Sequence, residues 1–206
     1  MRSAALHASW SRRLARPLHG ARIECVAECF DGTLAPDQVQ AMLDNDRFEE
    51  RLQQLLIRHF WLPPLEQLSE SADLSVLVLV LDGPAFARLP LLCGAVWHAA
   101  ALAREIRGPV VQCLKERLGT DVFNFALAHR AHAGAADFLL DSEQLAAAME
   151  RDGQACVAAW FHSRPQTLQG WLQLYFDIPQ SDVEISAAAI ALVPQIAQAL
   201  LEERPR

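Results

Sequence analysis

Chemistry that needs a cysteine or a histidine could take place around residue 98. His98 lies in the run VWHAAAL, beside Trp97 and five residues after Cys93. A cysteine and a histidine can act as nucleophile and base when the fold brings them together. A small all-α enzyme or ligand-binding protein with a buried pocket near Cys93, Trp97 and His98 is therefore the alternative function that we keep. The apolar neighbours of His98 favour a hydrogen-bonded core residue over a catalytic base.

Two further pairs have residue types that bind metals. His129 and His132 are three positions apart near the end of a predicted helix, so both side chains could lie on one face. No HExxH motif accompanies them, and the helix dipole favours a partly cationic histidine at that end. Cys25 and Cys29 are spaced more widely than the pairs of zinc knuckles, and no second pair follows. The sequence predicts no metal site.

The sequence has none of the common catalytic motifs. It contains no GxGxxG, no GxxxxGK[ST] and no GxSxG pattern. The neighbouring carboxylates Glu49 and Glu50 point to different sides of a predicted helix, so they form a solvated face and no acid/base pair. We therefore predict a protein that is not an enzyme, with no catalytic residues, no cofactor and no small-molecule substrate.

Charge is distributed unevenly along the 206 residues. Residues 1–22 hold five arginines and no acid, which leaves 13 of the 18 basic residues against all 25 acidic residues in the remainder. An acidic body argues against binding to a nucleic-acid backbone, and a regulator that meets nucleic acid through the arginines alone is the least favoured function. Arginine, serine and histidine mixed with Pro17 and Gly20 predict a loosely ordered basic N-terminal arm over 1–22, followed by a helical domain over 23–206.

The sequence is predicted to stay in the cytoplasm without insertion into a membrane. Its longest apolar run, Val76 to Leu81, is far shorter than the roughly 18 residues that span a bilayer. The amino end has no apolar stretch typical of a secretory signal. Five cysteines form an odd set, as in proteins of a reducing compartment.

Apolar residues recur with helical periodicity along most of the chain. Pro36 starts one helix, or two that are broken near Asn45. Val76–Leu81 could be a buried strand, but a strand without partners leaves its backbone unsatisfied, so a helix opened by Ser71 or Asp73 is favoured. Pro90 is expected to bend or split its helix, and Gly153 to break another. We predict an all-α fold, a single globular domain of about eight to ten helices.

Five tryptophans against one tyrosine is an unusual balance. Tryptophan is the residue that most often carries binding energy at protein interfaces. Trp61, beside a Pro-Pro turn, and Trp10, in the basic arm, are predicted to be exposed. Trp97, Trp160 and Trp171 are predicted to pack in the core, and His59 beside Trp61 is predicted to have a structural role.

The order GAVWHAAALAREIRGPVVQCLKERLGTDVFNFALAHR, from Gly94 to Arg130, resembles the K subunit of the bacterial type III secretion sorting platform, the YscK/SctK family. The similarity covers about a fifth of the chain. Four features match. A helix with small residues contains Gly94 and Ala95, and the segment that leads to Gly108 contains Leu102, Arg104 and Ile106. A short helix covers Leu114 to Gly119, and an apolar stripe is formed by Phe123, Phe125, Ala126 and Leu127.

The resemblance implies a helical adaptor at the cytoplasmic face of the inner membrane. Its implied partners are proteins, namely the cytoplasmic domain of the inner-membrane ring and the Q subunit of the sorting platform, beneath which the ATPase and its stator assemble. It implies no particular interface residues, so the partner-binding residues stay unassigned. For this function we expect charge reversal at Glu49 and Glu50 to weaken partner capture without loss of helicity.

Overall fold

The computed structural model describes residues 4–69, 73–136 and 141–203. Every regular element in these ranges is helical and none is a strand, which confirms the all-α class. Two segments are 3₁₀ helices, Leu74–Val80 and Arg130–His132. The α-helices of these ranges are α1 Ala4–Ala15, α2 Ile23–Glu28, α3 Pro36–Leu43, α4 Asp46–His59, α5 Leu65–Ser69, α6 Gly83–Trp97, α7 Ala99–Arg104, α8 Gly108–Leu118, α9 Thr120–Ala128, α10 Ser142–His162, α11 Gln166–Tyr175, α12 Ala187–Ile190 and α13 Leu192–Glu202.

Several helices begin where local sequence signals predict. Pro36 occupies the first turn of α3, and Asn45 separates α3 from α4 by accepting a hydrogen bond from the Arg47 amide at 3.1 Å. Asp141 caps α10 by accepting hydrogen bonds from the amides of Glu143 and Gln144 at 2.9 and 2.8 Å. These caps satisfy amides that have no partner inside the helix.

The apolar run at Val76 is helical, as the sequence favoured. It lies in the 3₁₀ helix Leu74–Val80, in which residues 75–80 are all buried. The Asp73 carboxylate accepts a hydrogen bond from the Ser75 amide at 2.8 Å and so opens the helix. The tighter 3₁₀ form was not predicted.

The predicted break at Gly153 was wrong, and Pro90, for which a bend or a split was predicted, does not split its helix. Helix α6 continues through Pro90, and α10 continues through Gly153. A Cβ on Gly153 would lie 2.0 Å from the Pro90 carbonyl oxygen, and a Cβ on Gly94 would lie 1.8 Å from that of Met149. The glycines therefore allow two helix backbones to approach each other closely.

The chain groups into two compact units. The first unit contains the described residues up to Gly83, together with Arg164–Asp177 and those from Gln198 onward. Its interior includes Trp171, Leu56 and Leu65, each less than 2% exposed. The second unit contains Pro84–Ser163 and Ile178–Ala197, with Trp160 and Met149 in its interior. Burial of these large apolar side chains is the main favourable contribution to folding in each unit.

The amino-terminal segment is more ordered than the sequence predicted. Helix α1 occupies much of the segment 1–22, for which a loosely ordered arm was expected. Trp10 on this helix is only 4% exposed, so its predicted exposure was wrong. Arg13 donates hydrogen bonds to the carbonyls of Leu79 and Leu81, which ties α1 to the end of the 3₁₀ helix. Leu79 and Leu81 are 66 and 68 positions from Arg13 in the sequence, so local sequence patterns could not predict these hydrogen bonds.

Across the described ranges, none of the helices is both long and apolar enough to cross a membrane.

Candidate functional site

His98 and Cys93, the two reactive side chains of the pocket suggested by the sequence, are engaged in packing. His98 Nε2 lies 2.8 Å from Asp152 Oδ2, and the two side chains are only 8% and 13% exposed. Cys93 is fully buried, and this burial, reinforced by Cys156, raises the pKa of its thiol well above the ordinary value. A thiol held in its protonated form is a poor nucleophile.

Trp97 is half-buried, and both its backbone and its ring contact the segment around Gly134. Its carbonyl oxygen accepts hydrogen bonds from the amides of Gly134 and Ala135, both at 3.1 Å. A Cβ on Gly134 would lie 2.3 Å from the Trp97 ring, so the ring packs directly against that backbone. The structure therefore places Cys93, Trp97 and His98 in one region and gives each of them a structural role.

The remaining histidines considered from the sequence make ring contacts. His129 follows α9, and its ring lies against that of Phe125 with centroids 4.3 Å apart and planes tilted by 33°. His132 lies exposed in the next 3₁₀ turn. His59 contacts Phe60 edge to face at 4.7 Å. Within the ranges that the structure describes, no three histidine, cysteine or acidic side chains group as metal ligands would.

Cys25 and Cys29 form a local hydrogen-bonded pair. Cys29 Sγ donates to the Cys25 carbonyl at 3.6 Å, and Cys25 Sγ donates to the Gln173 carbonyl at 3.5 Å. Burial, and then the charge of Glu28, raises the pKa of Cys29 to about 11. Burial also raises the pKa of Cys25 above its ordinary value.

Trp61 is 89% exposed, as the sequence predicted. It has a φ of 53°, in the left-handed region that glycine normally occupies after a helix. Hydrogen bonds from the amides of Phe60 and Leu62 to the carbonyls of Leu56 and Ile57, both at 2.9 Å, close the end of α4 around it. A tryptophan here is strained by about 1–3 kcal/mol and also exposes a large apolar surface, and neither feature helps folding.

Ile106 is a comparable residue in the second unit, with 90% of its surface exposed. It stands between Glu105 and Arg107, whose side chains pair through hydrogen bonds of 2.9 and 2.6 Å. The Arg107 side chain and amide hold the pKa of Glu105 down at about 2. The ion pair between Glu105 and Arg107 thus closes a short turn in which the Ile106 side chain points to solvent. The sequence analysis named Ile106 within a resemblance but did not predict its exposure.

The other tryptophans follow the core prediction in part. Trp160 and Trp171 are buried at 1% and 0% exposure, whereas Trp97 is only half-buried. The Trp171 indole donates a hydrogen bond to the Pro63 carbonyl at 3.0 Å. Glu49 is half-buried and Glu50 is exposed on α4, so the acidic face proposed for partner capture reaches solvent.

A cavity of about 240 Å³ in the first unit was not foreseen from the sequence. It lies between the end of α1 with the following turn and the end of the 3₁₀ helix Leu74–Val80. Its lining includes three arginines and one carboxylate; the lining residues are Ser9, Arg12, Arg13, Arg16, His19, Val80, Leu81 and Asp82. The five arginines of residues 1–22 were the only available sequence signal.

The protein is therefore an all-α protein in which two large apolar side chains, Trp61 and Ile106, are exposed just after the ends of α4 and α7. The chain is similar to nodulation protein NolU of Rhizobium fredii and to NolU of Sinorhizobium fredii (strain NBRC 101917 / NGR234), with 41% identity over 78 residues in each case. The aligned region spans 38% of this chain and 37% of each relative, so the chain matches little more than a third of their length. No protein-family model and no solved structure matches the chain.

Proposed function

We propose that the protein is a non-catalytic adaptor of a bacterial type III protein secretion system. In this role it joins the cytoplasmic domain of the inner-membrane ring to the Q subunit of the sorting platform. It works in the cytoplasm, at the cytoplasmic face of the inner membrane once assembled. The similarity to nodulation proteins supports the proposal, because nodulation involves a bacterium and a host, and type III systems deliver bacterial proteins to hosts. The resemblance of Gly94 to Arg130 to the K subunit supplies the partners.

The structural observation that carries the proposal is the presence of one almost fully exposed, large apolar residue in each unit. Trp61 and Ile106 are 89% and 90% exposed, while the other large apolar side chains classed as exposed in the described ranges reach at most 47%. An adaptor must hold two partners, and large side chains that fill a pocket on a partner dominate binding energy. Trp61 and Ile106 are the two docking residues of the proposal.

Affinity capture from the bacterium's own cytosol and envelope, followed by mass spectrometry, tests this role. The tagged wild-type protein should recover both the inner-membrane ring protein and the Q subunit under secretion-active conditions. Recovery of the tagged protein alone under those conditions contradicts the adaptor role.

Two variants test the docking residues separately. Trp61→Gly and Ile106→Ala should each lower recovery of one partner by about tenfold or more, since hot-spot residues contribute 2 kcal/mol or more. Val183→Ala, at a 40% exposed apolar side chain, is the matched control and should retain both partners. Trp61→Gly should also unfold at no lower denaturant concentration than the wild type, because glycine relieves the left-handed strain. Full capture by both variants would leave the adaptor role standing and remove these two residues from it.

The acidic face of α4 is a third element to test in the same assay. Glu49→Lys and Glu50→Lys together should weaken capture while circular dichroism shows unchanged helicity. Capture at the wild-type level would exclude this face from the interface.

A further inference from the structure

Arg13 forms the fixed wall of the basic cavity in the first unit. Its Nε, Nη1 and Nη2 donate to the carbonyls of Leu79, His19 and Leu81 at 3.0, 2.8 and 3.1 Å. Its guanidinium also lies 4.1 Å from the centre of the Tyr175 ring. With these contacts Arg13 shapes the cavity, and its charge contributes a positive field.

Arg12 is the uncommitted cation of the cavity. It is exposed, and it makes no ion pair or side-chain hydrogen bond with any residue that the structure describes. Its five N–H donors form a planar fork that matches a carboxylate. Because it lines an existing cavity, a ligand that reaches it also contacts the walls.

Arg16 is committed only weakly. It pairs with Asp46 at 2.7 Å, but the two side chains are 56% and 78% exposed. Exposed pairs of this kind contribute 0–1 kcal/mol, so an incoming carboxylate can replace Asp46 at little cost. A carboxylate ligand can therefore bind Arg12 directly and can replace Asp46 as the partner of Arg16.

Charge favours a carboxylate ligand over a phosphate. Asp82 lines the cavity and opposes a dianion more strongly than a monoanion. Val80 and Leu81 also line the cavity, but they are only 6% and 0% exposed, so the contacts open to a ligand are mainly the arginine side chains. A single carboxylate therefore suits this cavity better than a phosphate dianion.

The net negative charge of the rest of the chain disfavours binding of the protein to an extended anionic partner such as a membrane or a nucleic acid. Beyond residue 22 the sequence has 13 basic and 25 acidic residues, so a membrane or a nucleic acid would meet repulsion outside the cavity. Binding to anionic lipid usually needs a cluster of roughly 4–8 basic residues. A single peptide side chain in the cavity avoids this repulsion, because charges beyond about 8 Å are screened at physiological salt.

We propose that the cavity formed by Arg12, Arg13, Arg16, Val80 and Leu81 binds a glutamate or aspartate side chain from an acidic segment of a protein partner. Binding of the carboxylate stands by itself, whereas the identity of its carrier as a protein partner rests on the adaptor function proposed above. Arg12 makes the principal contact, with Arg16 as the second.

Fluorescence anisotropy with a fluorescein-labelled hexaglutamate peptide tests the inference on the full chain at physiological ionic strength. Hexaglutamine, which has the same shape without charge, is the control peptide. The wild type should bind hexaglutamate saturably and hexaglutamine at least tenfold more weakly. Arg12→Glu should weaken hexaglutamate binding at least tenfold, and Arg12→Gln should weaken it less. Arg130→Glu, at an exposed arginine of the second unit, makes the same change in net charge and should leave binding unchanged.

The results that overturn the inference are distinct from those that overturn the adaptor role. Equal loss in Arg12→Glu and Arg130→Glu would show attraction to net charge without a site. Competition by inorganic phosphate at lower concentration than by acetate would show a phosphate site. Binding to phosphatidylserine vesicles without binding to hexaglutamate would show a membrane surface. Each of these outcomes is independent of whether the wild type captures secretion proteins, which alone decides the adaptor role.

Discussion

Two helix contacts in this protein are stabilised by different interactions. One joins α6 and α10, and the other joins α1 and the 3₁₀ helix Leu74–Val80. In the second unit, Gly94 and Gly153 remove side chains so that two helix backbones nearly touch. In the first unit, the guanidinium of Arg13 donates hydrogen bonds to three carbonyl groups that no helix satisfies. The first contact depends on volume and the second on directed hydrogen bonds, so different substitutions should break them.

The largest effect is expected for Gly94→Ala. The new Cβ would lie 1.8 Å from the Met149 carbonyl oxygen, so the helices must separate. We expect a loss of about 3 kcal/mol in the free energy of unfolding, at the upper end for overpacking. Urea unfolding followed by circular dichroism measures it. Gly108→Ala is the matched control, because nothing lies within 4 Å of its position and it should shift stability by less than about 0.5 kcal/mol. Equal unfolding midpoints for the two variants would contradict the close contact.

Arg13→Met should have the next largest effect. The substitution keeps an apolar stem but leaves the carbonyls of Leu79 and Leu81 without their donor, at a cost of about 2 kcal/mol. The same urea experiment measures it. Arg12→Met on the same helix is the control and should unfold within about 0.5 kcal/mol of the wild type. A similar loss in both variants would mean that α1 is held by its general charge and not by the hydrogen bonds of Arg13.

Tyr175→Phe is expected to cost about 1 kcal/mol. The buried Tyr175 hydroxyl donates to the Pro17 carbonyl, while its ring stacks on Trp171 at 5.9 Å and under Arg13. Phenylalanine retains both ring contacts and removes one hydrogen bond. A double-mutant cycle with Arg13→Met sharpens the comparison, since residues in contact should show non-additive losses. Strict additivity would indicate that the Tyr175 hydroxyl and the Arg13 guanidinium stabilise the first unit independently.

Thiol labelling compares the two interiors directly. Burial raises the pKa of Cys156 to about 12 and raises that of Cys93 well above its ordinary value, so neither should react before unfolding. Cys29 is half-buried with a pKa of about 11, so at pH 8 about one molecule in a thousand carries its thiolate. Its labelling should be slow and should accelerate about tenfold for each unit of pH below 11. Mass spectrometry of labelled peptides gives the rates, and native labelling of Cys156 as fast as that of Cys29 would contradict a closed core in the second unit.

Much of the helical content could be predicted because its signals are local. Asn45 and Asp73 accept hydrogen bonds from amides two residues further on, and Pro36 fixes its own φ, so each effect can be read from a short window. The exposure of Trp61 could be predicted from the proline pair that follows it. Its left-handed backbone could not, since a tryptophan carries no tendency toward that conformation.

The candidate sites were less predictable because they join distant residues. Arg12, Arg13 and Arg16 stand in the sequence as arginines of a basic arm, and nothing near them indicates that Val80 and Leu81 complete a cavity. His98 could be predicted as a hydrogen-bonded core residue, but its partner Asp152 lies 54 positions away.

The sequence by itself determined that this protein is helical and where many of its helices begin, because capping and periodicity act over one or two turns. Only the tertiary structure decided what Pro90 and Gly153 do, since the same residues can end a helix or allow two helices to meet. It also decided that Trp10 is buried and that Arg13 is a structural residue. For Pro90, Gly153 and Arg13 the deciding partner is a backbone far along the chain, and folding alone brings the two together.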